Sequence, residues 1–194
     1  MTMIMPVLDV RVYQIKVTLN HTKPPIWRRF QVCGDVNFYK LHRVLQVVMG
    51  WTDSHLHQFV LGKKRFIGMP DQEFPSDFDI INERKVKLQD ILTEPKKKLI
   101  YEYDFGDGWE HELLFEKILP PDPNQRYPVC LDGALACPIE DSGGPWGYYE
   151  KLAILKNPNP DNIDHQEIVN WMPPDFDPGE FDLAAINAEL RRLK

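Results

Sequence analysis

Asp104, Asp107, Glu110 and His111 fall within one short stretch, YDFGDGWEH, running from Tyr103 to His111. Carboxylates grouped in this way suit a hard divalent cation such as Mg²⁺ or Ca²⁺, which takes oxygen ligands. An imidazole beside them adds a group for proton transfer. The four residues are therefore candidate catalytic residues of a metal-dependent hydrolase or nuclease-like enzyme. Glu140 and Asp141, in the segment EDSGG, join Asp104, Asp107 and Glu110 as candidate ligands of a divalent metal if the fold brings them close. The competing reading is a half-exposed sheet face whose acids pair with neighbouring basic strands.

Other constellations are less complete. His55 and His57 in HLH could share one face of a strand, but two imidazoles are half a metal site. Cys130 and Cys137 lack the tight spacing of a zinc knuckle and have no second CxxC beside them. HExxH, GxxxxGK[ST] and GxSxG are absent. WRRF and GKKRF pair an aromatic ring with cations, as single-strand binders do, although basic side chains lying along apolar surface explain them more cheaply.

The hairpin must position the acidic cluster. Leu99, Tyr101, Tyr103 and Phe105 share one face of the first strand, and Trp109, His111, Leu113 and Phe115 share one face of the second. A one-residue slip would turn every side chain over. A three-residue loop, Gly106-Asp107-Gly108, opposes Phe105 to Trp109, Tyr103 to His111 and Tyr101 to Leu113, with Gly108 left-handed. The reverse face then opposes Asp104 to Glu110 and Glu102 to Glu112. Like charges so placed repel and need solvent, a bound cation, or basic strands such as those carrying Lys16, Arg28 and Arg29.

Around the hairpin, VYQIKVTL alternates cleanly and reads as a half-buried strand, with IWRRFQV as its neighbour. Asp35 or Asn37 caps a helix running to about Met49, with Leu41, Val44, Leu45 and Val48 on one face and Gly50 as the stop. HLHQFVLG and KRFIG form a hairpin pair, residues 70–84 a surface loop, and VKLQDIL a short helix. Residues 130–147 have no sustained period and read as an ordered loop. Helices follow at about 148–156, at 165–171 and at 183–193. The middle one is capped by Asp164 with Glu167, and Ile163 packs against Ile168. Strands mostly first and helices mostly last give a single α+β domain.

The composition agrees. Of 194 residues, 43% are hydrophobic and 27% charged, which is globular. No apolar run approaches the ~20 residues that cross a bilayer, and no signal peptide is evident. Three cysteines make no disulfide framework, so a cytoplasmic location is expected. The net charge of −6 argues against wholesale nucleic-acid binding. It is unevenly spread: residues 1–98 carry 16 Lys and Arg against 10 Asp and Glu, a net +6, and residues 99–194 carry 7 against 19, a net −12. Either the basic half offers a face to polyanions, or basic and acidic strands lie side by side in one sheet.

In order along the chain, PPIWRRF, LHRVLQVVMGW, HLHQF, YDFGDGWEH and CLDGALACPIEDSGGPWGYYE closely resemble the Ri-plasmid open-reading-frame-three family. Its members include passengers of plasmids and insertion elements, some labelled the resolvase TnpR. The resemblance covers roughly Val12 to Leu190. It implies a strongly bent, barrel-like, mostly antiparallel sheet wrapped around helices, and brings no established activity. Ile139 stands where a second proline is usual, and Ser142 where many members have cysteine, which weakens any metal site at Cys130 and Cys137. The resolvase label fails on chemistry. VYQIKVTLN holds no serine nucleophile, and the acidic C-terminal half has three arginines where a tyrosine recombinase needs a basic surface.

Three functions remain. The first is a non-enzymatic binding or accessory module for a protein partner, with an exposed Trp27, Trp51 or Trp146 as anchor. The second is the metal-dependent enzyme, and the third is a DNA-contacting accessory using the basic half.

Overall fold

The computed structural model describes residues 11–70 and 79–193. Eight strands form one sheet in the order β5-β4-β3-β6-β7-β1-β2-β8. They are β1 (Val12–Leu19), β2 (Trp27–Cys33), β3 (His57–Gly62), β4 (Arg65–Gly68), β5 (Asp79–Asn82), β6 (Lys98–Tyr103), β7 (Trp109–Leu119) and β8 (Val129–Ala134). Every neighbouring pair is antiparallel except β4 and β5.

The first helix, α1 (Phe38–Met49), forms as its sequence dictates. Asn37 accepts a hydrogen bond from the Lys40 N–H, and Gly50 closes the helix at φ 76°. Its stripe of Leu41, Val44, Leu45 and Val48 is buried against the aromatic inner face of the sheet. Both β2 and β4 touch α1. Those strands are five places apart in the sheet, about 24 Å if it were flat, so the sheet must curve around the helix. The curve stays open, because β5 and β8 end the strand order and do not pair with each other.

The remaining helices are α2 (Leu88–Ile91), α3 (Gly144–Lys156), α4 (Ile163–Trp171) and α5 (Leu183–Arg192). α5 packs on β8 and α1, and α3 packs on α4. Among the described residues no helix is long and apolar enough to cross a membrane.

Several expectations need correction. The hairpin of β6 and β7 pairs Tyr103 with Trp109, Tyr101 with His111 and Leu99 with Leu113. This lies two residues from the expected register, so the faces survive. The loop is 104–108, and Phe105 is 54% exposed instead of facing Trp109. The acids oppose Glu102 to Glu110 and Ile100 to Glu112. Residues 129–134, expected within a loop, form β8 because Arg28 and Phe30 of β2 need a partner strand. Residues 79–82 form the edge strand β5, while the rest of the expected 70–84 loop from 71 to 78 lies outside the described residues. α3 begins earlier than expected, with Pro145 in its first turn. Asn162, not Asp164, caps α4, and Ile163 is exposed, so no staple to Ile168 forms. His55 and His57 do not share a strand face, since β3 begins at His57.

Basic and acidic strands do lie side by side. Arg29 of β2 reaches Glu116 of β7 through two hydrogen bonds of 2.8 and 3.0 Å, and Lys98 pairs with Glu112 at 2.8 Å. Arg28 is different. It points inward, is almost fully buried, and donates to the carbonyls of Val48, Trp27, Ala134 and Leu135 and to the Cys137 thiol.

Candidate functional site

The segment Trp51 to His55, between α1 and β3, connects three parts of the molecule. Trp51 stacks on Tyr103 of β6 and donates its indole N–H to the Pro138 carbonyl at 2.9 Å. The Thr52 N–H donates to Glu140 at 3.1 Å, and the Ser54 N–H to the Tyr103 hydroxyl at 3.1 Å. That hydroxyl in turn donates to Glu140. Burial first, and then the Glu140 carboxylate, raises the Tyr103 hydroxyl well above its ordinary pKa.

Beneath this segment lies a buried polar chain. Gln46 donates its amide to the Tyr101 hydroxyl at 3.0 Å, which leaves that hydroxyl to donate to His42 Nδ1 at 2.8 Å. His42 Nε2 then carries the proton and donates to Asp53 at 2.7 Å. The order of donors assigns the neutral tautomer. Desolvation, with His57 second, pushes the His42 pKa down to about 4 against the pull of Asp53. His57 stacks on His42 with ring centres 3.5 Å apart and planes 1° from parallel, and its Nε2 meets Glu83 at 2.7 Å. Glu83 is fully buried, and its other oxygen has no hydrogen-bond partner among the described residues.

The hairpin tip closes the other side. Asp104 sits at φ 54° and accepts from the N–H groups of Gly106 and Asp107 at 3.0 and 3.2 Å. Its free oxygen stands 3.6 Å from His55 Nδ1, while Asp141 stands 3.4 Å from His55 Nε2. Asp107 accepts from the Gly143 N–H at 2.9 Å, clamping the tip to the 140–144 turn.

The acidic stretch therefore divides. Asp104 and Asp141 come together around His55. Asp107 and Glu140 hold loops in place. Glu110 lies on the outer face and accepts from Asn20 at 2.5 Å. His111 lies on the inner face, fully buried, with Nδ1 3.2 Å from the Tyr101 carbonyl. Glu110 and His111 thus sit on opposite sides of β7 and do not converge with the others. Cys130 and Cys137 are free thiols with different neighbours.

Sequence reasoning missed His42, Asp53 and Glu83. His42 and Gln46 had left a trace, as polar residues one turn apart on the buried side of an apolar helix. A cavity of about 300 Å³ opens beside this cluster, lined by Asp53, His55 and His57 and by Leu56, Met69 and Phe105.

The same arrangement of elements recurs elsewhere. The model of the plasmid pRiA4b ORF-3-like protein family matches residues 11–185. The chain belongs to this family. It is 38% identical over 176 residues to the uncharacterized protein y4hQ of Sinorhizobium fredii, a match covering 91% of this chain and 86% of that one. It is similar also to a crystal structure of a protein of unknown function, MM3350, from Methanosarcina mazei Go1. That likeness has a TM-score of 0.79 and 37% identity, and covers 91% of this chain and 96% of the other.

Proposed function

We propose that this chain is a non-enzymatic binding module whose recognition site is the cavity beside the 51–57 segment, and whose occupant is an apolar side chain of a protein partner. One observation carries the reading. Leu56, Met69 and Phe105, exposed by 72%, 55% and 54%, all border that one cavity. Large apolar side chains gathered at a cavity mouth mark an interaction site, whereas scattered ones do not. The imidazoles below are bonded to acids of their own chain, His42 to Asp53 and His57 to Glu83. Both ring nitrogens of His42 are bonded within the chain, to Tyr101 and Asp53, so neither is offered to a substrate. The tryptophan anchor expected at Trp51 does not fit this role, because Trp51 is buried. The association with mobile elements implied by the family resemblance, and a cytoplasmic location, are parts of this same proposal.

A photo-crosslinking amino acid at Met69, introduced in the protein's own cells, is expected to trap one defined protein. Leu56→Ser combined with Phe105→Ser is expected to abolish the adduct. No adduct, or one indifferent to the two substitutions, would overturn the reading.

The metal-dependent hydrolase remains a second reading, supported by the meeting of Asp104 and Asp141 at His55. Turnover of a chromogenic phosphodiester by the purified chain with Mn²⁺, lost in His55→Ala, would place it first. The DNA-contacting reading has less support. Lys16 and Arg29 both lie over the Trp27 ring, and Arg29 is already held by Glu116.

A further inference from the structure

We infer that His55, Asp104 and Asp141 form a binding site for one divalent transition-metal ion. The inference goes beyond the partner-binding reading and does not depend on it. The three residues come from separate segments: the α1–β3 connection, the hairpin tip and the turn before α3. One ligand atom from each lies within 4.8 Å of the other two.

Their spacing is the first argument. His55 Nδ1 stands 3.6 Å from Asp104, and His55 Nε2 stands 3.4 Å from Asp141. A hydrogen bond would draw either pair to about 2.9 Å. The distance from Nε2 to Asp141 is instead that of two ligands each about 2.1 Å from a tetrahedral ion, roughly 3.4 Å apart, with Asp104 completing the group. The second argument is independent of distance. His55 Nε2 is a buried atom with no hydrogen-bond partner among the described residues. A buried ring nitrogen left bare costs free energy unless something absent from the chain itself engages it. The ring is also held in place, edge-on to Tyr103 at 5.7 Å.

The neighbouring group of His42, Asp53 and His57 is a weaker candidate, although its atoms are as close. A metal lies in the plane of each imidazole that binds it. The planes of His42 and His57 are parallel and 3.5 Å apart, so they share no point where one ion could sit. The nitrogens there are also bonded to Tyr101, Asp53 and Glu83.

One imidazole and two carboxylates suit Zn²⁺ or Mn²⁺ better than soft Cu⁺, which prefers thiolates. Three protein ligands leave a coordination position for water or another group. The Asp141 side chain is 72% exposed, so Asp141→Asn leaves the core untouched.

Titration calorimetry of the full, chelator-stripped chain with ZnCl₂ and with MnCl₂ tests the inference, and thermal unfolding checks that each variant is folded. One ion per chain is expected for at least one of the two metals. His55→Ala and Asp141→Asn are each expected to weaken its binding at least tenfold. Glu110→Gln, on the far face of β7, should bind as the unaltered chain does. Failure of the unaltered chain to bind either ion overturns the inference. So does full-strength binding by either His55→Ala or Asp141→Asn, and so does an equal loss in Glu110→Gln. The Met69 crosslink is read separately, so either result can fail without the other.

Discussion

His111 shows what burial does to a single group. Desolvation lowers its pKa from 6.5 to about 4, against the weaker pull of the Tyr101 and Trp109 backbone. An unfolded chain would take up this proton near pH 6.5, and the folded chain only near pH 4. Between those values the unfolded state holds more protons, so stability falls as pH drops through the window. The contribution at the lower end is roughly 3 kcal/mol. Urea denaturation at pH 7 and pH 4.5 should therefore show a smaller acid loss in His111→Met than in the unaltered chain. Equal losses would contradict this. Placing His111 on the apolar face was possible from alternation alone. The approach of Asp104 to His55 was not, because that depends on a loop conformation in which Asp104 adopts a left-handed backbone. His55 was visible as a residue, but its two acids lie 49 and 86 positions downstream, and no local pattern links them.

Elements were the most legible level. The strand pair β1–β2, the capped α1 and the β3–β4 hairpin all follow from periodicity and cap residues, which are local physics. β8 was hidden because its partner β2 lies far away in sequence, with Cys130 opposite Phe30; β5 was hidden because it is a four-residue edge strand. Arg28 is where β2, α1 and β8 meet. Its guanidinium is surrounded by carbonyl groups, lies over the Phe181 ring and has no carboxylate partner among its hydrogen bonds. Lysine has one nitrogen and cannot reach acceptors spread in a plane. Arg28→Lys should then cost roughly 3 kcal/mol or more through unpaired buried carbonyls. Guanidinium chloride unfolding will read this directly, and a change under about 1 kcal/mol would show that water replaces the lost donors.

The uneven charge of the two halves is resolved at the scale of the whole molecule. β1 lies between β7 and β2, and the basic residues spend their charge inside the sheet, as Arg29 reaches across to Glu116. The Arg29 hydrogen bonds, more than any other cause, hold the Glu116 carboxyl below its usual pKa. A polyanion would have to compete with those acids. Fluorescence anisotropy on a labelled duplex at low salt should show binding weaker than about 100 μM, with little change as salt rises. Tight binding that collapses with salt would mean a basic face the sheet leaves open. The curved sheet around α1 agrees with the expected barrel-like wrap, and it stays open because β5 and β8, at its two ends, do not pair with each other.

The alternation in β6 and β7 permits two alignments one pleat repeat apart, both with their rings turned inward. The folded tip, locked by Asp104 on Gly106 and Asp107, helps select between them. If that lock were undone, the ribbon could slide like a ratchet by one tooth, roughly 7 Å. The rings would still face inward, but Tyr101 would part from His42 and Gln46, and Asp104 would be carried out of reach of His55.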